Sequence, residues 1–107
     1  MKINIMKESI PYITDVTIAG TSFQFEFTYN SYDKRVYITL YDIEDNLIYA
    51  NEPILFGIPL WFNKLVDEKG NFNKKYPQKY IIPNTLDKKA VKIDYENIDK
   101  IELLVEE

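Results

Sequence analysis

A chain of 107 residues, 46% hydrophobic and 15% aromatic, can build one packed core and is too short for two. Its net charge of −4, its sequence pI near 4.9 and its single arginine weigh against binding that depends on neutralising phosphates. With no histidine and no cysteine, disulfides, thiolate metal sites and imidazole-based triads are excluded. Residues 1–107 are therefore expected to form a single domain held by packing alone. The longest apolar run, Ile54 to Phe62, contains Gly57 and Pro59 and falls short of the ~18 residues of a membrane span. The first residues, Met-Lys-Ile-Asn-Ile-Met-Lys-Glu, lack the apolar stretch of a signal peptide, so the chain is expected to stay in the compartment where it is made.

In chain order, Lys2 to Met6 alternates weakly and predicts a short first strand with Ile3 and Ile5 facing inward. Pro11 makes Ile10–Ile13 an edge segment. Thr14 to Ala19 is rich in β-branched residues and ends at Gly20, which predicts a hairpin into the next strand across Gly20-Thr21. Phe23, Phe25, Phe27 and Tyr29 alternate with Gln24, Glu26 and Thr28, so the four aromatics share one face. Val36, Ile38 and Leu40 likewise share a face in the following strand. Turns at Asn30–Asp33 and Glu44–Asn46 join these runs to Leu47–Leu55 as an antiparallel meander. The core is expected where Phe23, Phe25 and Phe27 meet Ile38, Leu40 and Ile101 or Leu103.

Beyond Pro53 the alternation fails. Pro59 predicts the first turn of a short helix across Leu60–Val66, or else an apolar loop plugging one end of a barrel. Asp67–Asn71 is a turn by composition, and Lys79–Asn84 is a short strand halted by Pro83. Thr85–Ala90 is polar and loop-like. Val91–Tyr95 alternates cleanly and predicts a strand, as does Ile101–Val105. The sum is an all-β fold, an antiparallel β-sandwich or small β-barrel with at most one short helix.

Few residues stand in a pattern that marks a reaction centre. The serines at 9, 22 and 31 lie outside any nucleophile elbow, and glycines at 20, 57 and 70 are too far apart to cradle a phosphate. Asp42, Glu44 and Asp45 cluster as calcium ligands do, but lack the glycine and distal glutamate of an EF-hand loop; turn chemistry explains them better. No two of the 17 acidic residues stand out as a glycosidase pair. Lys69, Lys74, Lys75 and Lys79 interleave with Phe72, Tyr76 and Tyr80 like a single-strand binding platform, a reading that the overall acidity opposes. Neither a metal nor an organic cofactor is expected.

From Phe23 onward, the chain resembles a family of small phage tail proteins. The resembling stretches are Phe23-x-Phe25-x-Phe27-x-Tyr29-Asn30, Val36-Tyr37-Ile38-Thr39-Leu40-Tyr41-Asp42, the turn at Asp45-Asn46 with Leu47-Ile48, and Ile54-Leu55-x-Gly57-x-Pro59-Leu60. Ile101–Val105 matches the apolar C-terminal strand. The chain departs from the pattern in having Tyr37 where a tryptophan is frequent, and Asn46 where a glycine is usual. The family is that of the baseplate plug proteins of contractile-tailed phages and related tail-like particles. The resemblance implies a non-enzymatic part of the virion tail baseplate, assembled in the host bacterial cytoplasm. Its implied partners are the hub, tail tube and spike, with further copies of itself, and neither a specific nucleic acid nor a membrane. Two other readings compete: a β-sandwich binding carbohydrate or another ligand through Trp61 and nearby tyrosines, and a carboxylate-dependent cell-wall hydrolase.

A part of this kind needs surface that neighbours cover. The segment Ile54–Phe62 is the candidate because it is apolar on both sides, with Phe56, Ile58, Leu60, Trp61 and Phe62 as contact residues. Residues 64–92 carry eight lysines and three acids, whereas 93–107 carry one lysine and six acids. Lys64, Lys74, Lys75 and Lys79 are thus expected to face an acidic surface on a neighbour.

Overall fold

The computed structural model describes residues 1–106 and contains seven strands in two antiparallel sheets. In chain order these are β1 (Lys2–Asn4), β2 (Tyr12–Ile18), β3 (Thr21–Tyr29), β4 (Val36–Asp42), β5 (Leu47–Pro53), the helix α1 (Phe62–Leu65), β6 (Ile81–Thr85) and β7 (Ile101–Val105). Two short 3₁₀ turns lie at Lys7–Ser9 and Ile98–Lys100. One sheet is ordered β2-β3-β4-β5 and the other β1-β7-β6. Neither closes on itself, so the fold is a sandwich and not a barrel.

The alternation of the aromatic strand does what it predicts. Phe23, Phe25 and Phe27 are buried, with Phe25 opposite Leu40 and Phe27 opposite Ile38. Ile3, Ile81, Ile101, Leu103 and Val105 of the other sheet enter the same hydrophobic cluster. Each face supplies one side of the core, as stacked sheets require. Ile5 is buried as well, one residue beyond the end of β1.

Three expectations need correcting. Val91–Tyr95 is not a strand: Asp94 and Asn97 bond each other's backbone N–H through their side chains, and the Tyr95 N–H donates to the Lys34 carbonyl at 2.8 Å. Pro83 does not halt its strand but sits in the middle of β6, opposite Leu103. This is possible because β6 is an edge, and the side of Pro83 turned away from β7 needs no donor there. The first hairpin turns at Ala19-Gly20, one residue earlier than expected, with Ile18 opposite Thr21 and positive φ at both turn residues (51° and 83°). That is the type I′ geometry that suits the twist of a hairpin.

Candidate interaction surface

The apolar segment Ile54–Phe62 is a strap over the free edge of β6. The Gly57 N–H donates to the Pro83 carbonyl and the Leu60 N–H to the Ile81 carbonyl, both at 2.9 Å. Gly57 takes a φ of 71°, which lets the chain turn there without a Cβ penalty. The strap thereby satisfies the outward carbonyls of an edge strand.

Its side chains divide into two sets. Ile54, Leu60 and Trp61 point into the core, each 1% exposed, and Phe56 is half-buried against it. Ile58 (49% exposed) and Phe62 (50%) face outward. Of the five apolar contact residues expected from sequence, Leu60 and Trp61 are therefore interior residues with no surface to offer. Trp61 packs edge-on against Phe25, with ring centroids 5.7 Å apart, and also meets Tyr76. This withdraws Trp61 from the carbohydrate-binding reading, since a sugar cannot stack on a ring that solvent does not reach.

Trp61 adopts a left-handed conformation (φ 44°, ψ 38°) just ahead of α1. Its carbonyl accepts from the Lys64 and Leu65 N–H groups, and its own N–H donates to the Glu52 carboxylate on β5. Burial pushes the Glu52 carboxyl above the usual range, and the Trp61 N–H opposes that shift. Glu52 was not singled out from sequence. No local pattern marks an acid whose partner is a backbone N–H nine residues on.

The lysine-rich loop is ordered by polar side chains bonding to its own backbone. Asp67 accepts from the Lys69 and Asn71 N–H groups at 2.9 Å, and Val66 bridges Phe72. Gln78 donates to the Asn73 and Tyr76 carbonyls at 2.8 Å. Tyr76 is buried against Trp61 and Tyr49, and Phe72 packs on Tyr80 at 5.6 Å. The aromatics that resembled a base-stacking platform are thus engaged with one another and with the core.

Lys64, Lys74 and Lys75 are exposed and line one wall of an open groove of about 650 Å³. The opposite wall is the β4–β5 hairpin, with Asp42, Glu44 and the exposed Leu47 (59%). Lys79 is half-buried and lies outside this lining. Sequence reading missed the hairpin wall because Leu47 belongs to a strand whose other residues gave no sign of an outward apolar patch.

Asp42 is occupied by its turn: its Oδ1 accepts from the Glu44 and Asn46 N–H groups and its Oδ2 from the Asn46 side chain. Those donors, the Asn46 backbone first, hold its carboxyl below the usual range. Among the described residues no three acidic side chains gather closely enough to hold a metal ion. None of the helices described is long and apolar enough to cross a membrane. What the groove presents is amines, carboxylates and apolar side chains.

A family model described as the cyanophage baseplate Pam3 plug gp18 matches residues 1–106. No curated protein matches the chain. The match takes in both sheets, the strap and the lysine loop, and extends the sequence resemblance noted from Phe23 back to the first strand. The chain belongs to the cyanophage baseplate plug family of Pam3 gp18.

Proposed function

We propose that this protein is a non-enzymatic structural part, acting as a single all-β domain at the junction of tail tube, hub and spike. It assembles there in the host cytoplasm with further copies of itself and is held by contacts with neighbouring baseplate proteins. The observation that carries this reading is the division of the strap. Ile54, Leu60 and Trp61 fix it to the core, while Ile58 and Phe62 stay half-exposed, with the exposed Lys64 two residues beyond Phe62. Phe56, Ile58 and Phe62 then make the apolar centre of the contact. Lys64, Lys74 and Lys75 in the groove, with Lys79 further along, make a basic rim for an acidic neighbour.

The test is binding of the purified protein to purified hub, tube and spike proteins, with and without Lys74→Glu/Lys75→Glu. The expected result is weaker binding by the variant, with a smaller salt dependence than wild type, since exposed charges are screened beyond about 8 Å at physiological ionic strength. Equal affinity and equal salt dependence would remove the lysines from the contact.

A further inference from the structure

The two sheets have four edges, and three of them are blunted. The β6 edge is covered by the strap. The β5 edge is broken by two register shifts, a positive φ at Asn51 (57°) and Pro53 at its end. The β1 edge is three residues long. β2 alone is long, regular and open, seven residues in unbroken register with β3. It has no lysine, proline or bulge, and of the usual devices against edge pairing it carries only the charge of Asp15.

The hairpin geometry shows which backbone groups are unpaired. In a two-residue turn the closing pair, Ile18 and Thr21, exchanges both hydrogen bonds, so Val16, Thr14 and Tyr12 also point their backbone groups at β3. Ile13, Asp15 and Thr17 therefore turn their N–H and C=O groups outward. Among the described residues no backbone group bonds to them from that side. Ile13 is 55% exposed, and Met1 and Met6 are exposed along a cleft between β1 and β2.

We propose that β2 pairs antiparallel with β2 of a second copy of this chain, joining two four-stranded sheets into one of eight strands. Two copies related by a two-fold axis must pair such an edge antiparallel. The strand's charge pattern permits it: Asp15 is the one charged residue of β2. An axis through Asp15 would set the two carboxylates directly opposite each other, whereas an axis through Thr14 or Val16 sets Asp15 opposite Ile13 or Thr17 of the second copy. Ile13, Met1 and Met6 flank the ladder and supply apolar contact. With the axis through Thr14 or Val16, five residues of each strand lie opposite each other, a ladder of about 17 Å at ~3.4 Å per residue. A contact of one strand and three apolar side chains is smaller than the roughly 1,200–2,000 Å² of a stable interface. The dimer is accordingly weak in solution and is sustained where an assembly holds copies side by side.

The experiment is sedimentation of the full chain across a concentration series, together with Asp15→Pro and Ile13→Lys. The Asp15 N–H points away from β3, so the proline removes an outward donor and leaves the hairpin intact; circular dichroism checks this. The expected result is a concentration-dependent dimer whose association constant falls at least about tenfold in both variants. Because the chain has no cysteine, Thr14→Cys or Val16→Cys should also form a disulfide-linked dimer on oxidation, as unbonded cross-strand pairs lie ~4.5 Å apart. A wild type that stays monomeric at its solubility limit, or a dimer unaffected by both edge variants, would overturn the proposal. So would a monomer whose Ile13, Asp15 and Thr17 amides are protected from exchange only in assembled baseplates, since a different chain would then occupy the edge.

Discussion

Glu52 ties the strap to the sheet, and its effect can be separated into hydrogen bonding and charge. Its carboxylate takes the Trp61 N–H, and Trp61 in turn fills the space between Phe25 and Tyr76. Glu52→Ala leaves that N–H without an acceptor and should cost about 1–3 kcal/mol in urea denaturation. Glu52→Gln keeps an acceptor without the charge and should cost much less. The pH dependence has a definite sign. Burial raises the folded-state pKa of Glu52, so the folded protein takes up this proton before the unfolded chain does. Its contribution to stability is complete below the ordinary glutamate range and is lost as pH rises through the raised value. The stability of wild type relative to Glu52→Gln should therefore increase on acidification across that window. Asp33, Asp42 and Asp87 are held below their usual range, chiefly by hydrogen bonds, and act oppositely: their contribution is lost as pH falls through their lowered values.

The turns and strands differ in how plainly their residues announce them. β3 and β4 were legible because each buries one face, and their alternation is nearly unbroken. Val91–Tyr95 has the same alternation, yet the side chains of Asp94 and Asn97 bond to backbone that a strand would need. Local polar competition overrode the pattern there. The end of β2 shows the reverse case, a turn that forms despite an unsuitable residue. Ala19 sits at φ 51°, a left-handed conformation in which a Cβ is strained and asparagine is favoured. Nothing else in the hairpin depends on the Ala19 side chain, which is exposed. Ala19→Asn should stabilise the protein by about 0.5–1 kcal/mol, seen as a higher denaturation midpoint with an unchanged slope.

Across the whole molecule, the two sheets and the strap act together to turn an apolar sequence into a surface of two kinds. The sandwich was legible from the aromatic strand. The proposed docking surface was legible only in part. From sequence, Leu60, Trp61 and Phe62 are three consecutive apolar residues with no mark to tell them apart. The left-handed backbone at Trp61 sends its ring inward, while Phe62, first residue of α1, is left half-exposed. The groove wall at Leu47 depends on the hairpin and the lysine loop meeting across a long stretch of chain, which no local pattern records. Ile58 and Phe62 are the strap's outward pair. The most direct test of the proposed docking is the amount of an Ile58→Asp/Phe62→Asp variant, matched to wild type in thermal stability, that is recovered in purified tail particles. At least about a tenfold loss of incorporation is predicted, the effect of two apolar contact residues worth about 1 kcal/mol each or more. Incorporation equal to wild type would contradict the account.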